Sequence, residues 1–117
     1  MHIVHHAHLR CDHQGGAHQL VAADHEQGIG QFQVWVLTLD SGAATGEQQH
    51  AGELVAIALQ GGGKLLIDGG PQHFQAPCTL VIPRGAVFHV VNTGSDPLQL
   101  VTVFTRLPRP LAPPATA

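Results

Sequence analysis

Nowhere along this chain do apolar residues hold the 3, 4, 7 spacing of an amphipathic helix for three turns. They recur at period two, or in short runs closed by Gly, Pro, Asn or Asp. That pattern permits pleated strands joined by tight turns and little else. The predicted strands are Gln19–Ala23, Gln33–Asp40, Glu47–His50, Leu54–Leu59, Lys64–Ile67, Gln72–Gln75, Thr79–Ile82, Val87–Asn92 and Leu98–Thr105. Between them lie strong reversal signals. Gly61-Gly62-Gly63 permits a sharp turn without a Cβ clash, and Asp68-Gly69 favours the left-handed dihedrals of a two-residue hairpin. Asn92 to Pro97 is a further turn, with proline fixing φ where the next strand begins. A chain of 117 residues with many short strands predicts one all-β domain, a barrel or sandwich. The glycine triplet is not read as a phosphate cradle, because Lys64-Leu65-Leu66-Ile67 continues it as strand, not helix.

Composition narrows the partners. Charged residues make up 11% of the chain, against roughly 25% in an average soluble domain. The net charge is −3, and the five basic residues, Arg10, Lys64, Arg84, Arg106 and Arg109, are scattered. No basic stripe is present, so nucleic acid is not an expected partner. The apolar runs are too short to span a bilayer, and no secretion signal is read at the amino terminus. No membrane partner is expected, and the expected location is the cytoplasm. Cys11 and Cys78 lack C-x-x-C partners, which argues against a disulfide framework or a zinc knuckle. A surface this poor in charge favours self-association, so a homodimer covering one sheet is expected.

Two segments combine these strands with a recognisable motif spacing. Glu47-Gln48-Gln49-His50-Ala51-Gly52-Glu53-Leu54 runs into Val55–Leu59 and Gly61, and Pro83-Arg84-Gly85 leads through Val87, Phe88, His89 and Val90 to Asn92. These resemble the first and second motifs of the cupin family, and the resemblance covers roughly residues 32–105. It implies a double-stranded β-helix, or jelly-roll barrel, usually dimeric. The expected division is a His-rich amino-terminal segment, partly strand, over 1–31, the barrel over 32–105, and a Pro-rich tail over 106–117. Gly61, Gly63, Pro83, Gly85, Asn92 and Gly94 match the family's scaffold positions.

The resemblance also implies a metal site of three imidazoles and one carboxylate. Here those positions fall on Gln48, His50, Leu54 and Phe88. Imidazole and carboxylate hold Mn, Fe, Zn or Ni well, whereas amide oxygen is a weak donor and hydrocarbon none. Two other polar groups lie one residue away: Glu53 before the carboxylate position and His89 after the imidazole position. Adjacent strand residues face opposite sides, so both point away from His50 unless a β-bulge intervenes. The alternative reading, with a divalent metal, takes His50, Gln48, Glu53 and His89 as its ligands. The favoured reading has no metal cofactor and a pocket lined by Gln48, His50, Leu54, Ala56, Phe88 and Val90.

These residues lead to a barrel that holds a small, largely apolar molecule in its cavity without the usual catalytic metal. One alternative is a metal-dependent cupin enzyme of dioxygenase, isomerase, lyase or cyclase type with an atypical ligand shell. Another is a structural or regulatory dimeric barrel. The reading leans away from an enzyme, since no nucleophile, second acid or oxyanion donor can be assigned. Seven of the ten His precede residue 26, a tract able to collect Zn or Ni adventitiously.

Overall fold

The computed structural model describes residues 3–68 and 70–105. The expected Pro-rich tail lies outside them. Ten strands form: β1 Asp12–Gln14, β2 Ala17–Ala23, β3 Phe32–Leu39, β4 Gln48–Gln49, β5 Leu54–Gln60, β6 Gly62–Ile67, β7 Gly70–Gln75, β8 Cys78–Ile82, β9 Val87–Val91 and β10 Leu98–Thr105. They build two antiparallel sheets, a six-stranded one in the order β1-β2-β3-β10-β5-β8 and a four-stranded one in the order β4-β9-β6-β7. This is the jelly roll that the family resemblance implies. No described helix is long and apolar enough to cross a membrane.

The sequence reading misses two features of the first 31 residues. β1 pairs with β2 across Gly15-Gly16, which have φ of 57° and 83°, and β2 extends the large sheet by pairing with β3. A 3-10 turn, His25–Gln27, is held by a capping box: the Asp24 carboxylate accepts from the first-turn backbone while the Gln27 side chain accepts from the Asp24 N–H.

Period two explains where the core sits. Along β5, Leu54, Ala56 and Ala58 are buried while Ile57 and Leu59 are exposed. Register puts Leu54 opposite Phe104 and Ile82, and Ala56 opposite Thr102 and Leu80, so each row of partners shares one face. β6 turns into β7 through Asp68, whose φ is 39°, and Ile67 pairs with Gly70, as the hairpin signal predicts. Burial is graded along the barrel. Leu39, Leu98 and Leu100 are no more than 1% exposed, whereas Trp35 and Phe104, further along the same strands, are half-buried.

The closed end is tied by Asn92, the one buried polar residue among the described residues. Its Nδ2 donates to the Leu39 carbonyl at 2.9 Å and to the Asp96 carbonyl at 2.8 Å, and its Oδ1 accepts from the Gly94 N–H at 2.9 Å. Its own N–H donates to the Ala43 carbonyl at 2.9 Å. Gly61 sits beside this knot with φ of 90°, and a methyl placed on it would come within 2.5 Å of the Pro97 carbonyl oxygen.

Two predictions follow from this end of the barrel. Asn92→Ala leaves the Leu39 and Asp96 carbonyls and the Gly94 N–H short of a partner, and is expected to cost about 2–4 kcal/mol of unfolding free energy in a urea titration. Gly61→Ala, which combines positive φ with a backbone clash, is expected to cost more than about 1 kcal/mol in the same measurement. An unchanged urea midpoint in either variant contradicts the corresponding argument.

Candidate functional site

At the opposite end from Asn92 the barrel opens into a cavity of about 350 Å3. Trp35 and Leu37 reach it from β3, and Thr102 and Phe104 from β10, because Thr102 lies opposite Trp35 and all four share the inward face. Gln19 enters from β2 opposite Leu37. Gln48, Gln49 and His50 close the remaining side. None of these side chains carries a fixed charge.

His50 is placed by the two motifs acting together. Its carbonyl accepts from the Gly85 N–H at 2.9 Å, and the neighbouring Gln49 Nε2 donates to the Gly85 carbonyl at 2.8 Å. The Pro83–Gly85 turn therefore clamps the end of β4. The His50 ring stacks over Phe88 at a centroid distance of 6.2 Å and tilts against Phe104 at 4.8 Å. Burial among these rings disfavours the imidazolium, and the His50 pKa is lowered from its ordinary 6.5. At neutral pH the ring is a neutral donor and acceptor. Trp35 stands edge-on to Phe104 at 5.5 Å, and its indole N–H donates to the Gln33 Oε1 at 2.9 Å.

Of the six residues expected to line the pocket, Gln48 and His50 do so. Leu54, Ala56, Phe88 and Val90 face the same interior but are packed into the closed core below it, each no more than 5% exposed. The cavity is bounded instead by Gln19, Trp35, Leu37, Thr102 and Phe104, which lie outside the two motifs. Their signal in the sequence is the alternation of β3 and β10, in which Trp35 and Leu37 share parity with Leu39, and Thr102 and Phe104 with Leu98 and Leu100.

The two displaced polar groups stay apart from His50. Glu53 is exposed ahead of β5. β9 pairs with β4 and β6 without a bulge, so His89 faces away from Phe88 and from the cavity. Among the described strands, register irregularities fall instead at Val21/Ala23 and at Gln99/Leu100. The His89 Nε2 is buried on the outer side without a hydrogen-bond partner. Among the described residues, no three His, Cys, Asp or Glu side chains come together to hold a metal ion. One imidazole and one amide beside Leu54 and Phe88 do not fit the transition-metal ion that the family's usual ligand set would hold.

Comparison with known proteins agrees with this architecture. The chain is 30% identical over 103 residues to Auxin-binding protein 1 of Arabidopsis thaliana, a match covering 80% of this chain and 52% of that protein. The chain thus spans about half the length of the curated relatives it matches. The polyketide cyclase RemF from Streptomyces resistomycificus superposes with a TM-score of 0.78 at 18% identity, over 90% of this chain and 79% of that one. An RmlC-like cupin from Shewanella frigidimarina superposes with a TM-score of 0.75 at 16% identity, over 92% and 93%. At such identities the superpositions establish the fold alone. The cupin domain family model matches residues 35–104. That match runs from β3 to β10 and takes in both motifs and every turn between them, and on it the chain belongs to the cupin family.

Proposed function

We propose that the open end of the barrel binds a small, neutral, largely apolar molecule without a metal ion. The observation that carries this reading is the lining of the cavity: Trp35, Leu37 and Phe104 supply an apolar wall, and every polar group beside them is uncharged. Its volume, about 350 Å3, lies within the roughly 300–1,000 Å3 range of small-molecule sites. Aromatic faces on one side and the Gln19, Gln48, Thr102 and His50 groups on the other suit a flat apolar body with one hydroxyl or carbonyl. That relatives of this chain are named for binding auxin supports a ligand-binding use of this barrel.

We further propose that the outer face of the large sheet is covered by a second copy of the chain. Register aligns Val34, Val103, Val55 and Val81 in one row and Val36, Val101, Ile57 and Thr79 in the next. Both rows are free of charge, and Val81 is 70% exposed. A contiguous β-branched face of this kind supports an association surface.

Trp35 is the only Trp in the chain, so its indole N–H gives a single NMR resonance with which to follow the cavity. Titration of chelator-treated protein with 2-naphthol is expected to shift that resonance saturably, and 2-naphthoate to bind at least about tenfold more weakly because its carboxylate finds no cation. His50→Ala is expected to weaken 2-naphthol binding about fivefold, the worth of one hydrogen bond. A shift that appears only after Zn or Mn is restored defeats the metal-free reading.

His50 also makes a pH prediction. Its folded pKa lies below the unfolded value of 6.5, so its effect on stability is neutral above 6.5 and turns unfavourable as the pH falls, because the unfolded chain takes up the proton first. Relative to wild type, His50→Gln is expected to gain stability between pH 7.5 and pH values below 6.5. A stability difference that stays constant with pH contradicts the burial argument. For the outer face, light scattering behind a sizing column is expected to give a dimer for wild type and a monomer for Ile57→Lys with Val81→Lys; a monomeric wild type refutes it.

A further inference from the structure

We infer that the β1–β2 hairpin carries a transition-metal site made by His13 and His18, separate from the motif positions inside the barrel. The two residues are register partners across the hairpin, so both rings leave the same face of the ribbon. Their Nδ1 atoms approach to 2.6 Å, with ring centroids 4.9 Å apart and planes inclined at 66°. His18 is oriented from behind: its Nε2 lies 3.0 Å from the Asp40 Oδ2. Asp40 is itself fixed by its N–H, which donates to the Gly16 carbonyl at 2.9 Å, so the hairpin turn and the carboxylate move as one unit.

Two Nδ1 atoms aimed at each other, with a carboxylate behind one of the rings, are what point to a cation. An ionised carboxylate only accepts, so the His18 Nε2 carries the hydrogen and its Nδ1 presents a lone pair toward His13. Two neutral imidazoles can satisfy that contact only if His13 holds its hydrogen on Nδ1. Replacing that hydrogen by a divalent ion, with the proton moving to the His13 Nε2, leaves both Nδ1 lone pairs converging on one point. Two imidazole nitrogens on a tetrahedral Zn stand about 3.3 Å apart, at Zn–N bonds of about 2.0–2.1 Å, so the rings need to part by about 0.7 Å from their 2.6 Å separation to admit it. A carboxylate behind a ligating imidazole is the arrangement that fixes the tautomer and raises the basicity of the metal-bound nitrogen. Two imidazoles with water in the remaining positions select Zn, Ni or Cu over Mg or Ca. With no third ligand among the described residues, the ion is exchangeable. His18 pairs with Thr38, whereas its neighbour Gln19 pairs with Leu37 in the cavity wall, so alternation puts the ion on the outer face of the large sheet, away from the cavity.

Calorimetric titration of the full-length, tag-free chain with Zn2+ alone tests this. Wild type is expected to take up one ion that is weakened at least tenfold by His13→Asn or His18→Asn. The site should weaken about tenfold in Asp40→Asn, the usual cost of losing such a supporting carboxylate. It should persist in a variant with His5, His6 and His8 all changed to Asn and in His50→Gln. Wild-type binding no tighter than that of the His13→Asn, His18→Asn double variant overturns the assignment. So does loss confined to the amino-terminal triple variant or to His50→Gln. Proton NMR of the imidazole Cε1–H signals supplies a second readout that does not depend on the variants: the His13 and His18 signals are expected to move first as Zn2+ is added, and movement of other histidines alone refutes the site.

Discussion

A single buried amide holds the two sheets in register at the closed end of this barrel. Asn92 ends β9 in the four-stranded sheet, yet its side chain binds the carbonyl at the end of β3 and the loop that leads into β10, both belonging to the six-stranded sheet. A neutral amide can meet two carbonyls and one N–H at once because it offers donors and an acceptor on one rigid plane. A leucine of similar bulk would leave all three backbone groups dry and unpaired, and an aspartate would set its charge against the same carbonyls. The glycines around the knot belong to the same constraint. Gly61 comes so close to the Pro97–Leu98 backbone, and Gly63 to the Val91 carbonyl, that neither site has room for a Cβ.

Pinning one end leaves the other free to differ. Buried leucines fill the barrel near Asn92, while the inward positions further along β3 and β10 become Trp35, Thr102 and Phe104, and packing is no longer complete. The Gly85 turn then brings His50 over that gap from the smaller sheet. The cavity is thus the unfilled length of a barrel whose remaining length is solid. Substitutions within it are expected to be felt in binding more than in folding, the reverse of those around Asn92.

The strands were legible because period two and glycine punctuation act locally, and nearly every predicted element formed within a residue or two. β1 was not legible, since Asp12-His13-Gln14 is exposed and holds no apolar residue to betray its pairing. Only the Gly15-Gly16 pair signalled the reversal. In the same way, Asp24 and Gln27 at capping-box spacing, followed by Gly28, marked a turn that hydrophobic periodicity does not register. Strand parity placed Leu54, Ala56, Phe88 and Val90 on the correct face and Glu53 and His89 away from it. It could not give depth along the barrel axis, which depends on how non-adjacent strands stagger. That is why four residues expected at the cavity are core, and why Trp35 and Phe104 were missed.

The character of the proposed ligand rests on what the cavity lacks. Moving an ionised group out of water costs several kcal/mol unless a partner charge meets it, and the only ionisable side chain in the lining is an imidazole held neutral by its own burial. An anion would find amides and a hydroxyl but no cation, and a metal-bound substrate would find one imidazole where the family's usual set has three. A neutral planar molecule meets neither penalty, and it gains contact with Trp35 and Phe104 together with one or two hydrogen bonds from Gln48, Thr102 or His50. The replacements at positions 54 and 88 act in the same direction, since Leu54 and Phe88 keep the floor of the cavity dry and so keep His50 uncharged. On the function proposed above, the hydrocarbon at positions 54 and 88 and the preference for an uncharged guest are one physical change, expressed at two depths of the same barrel.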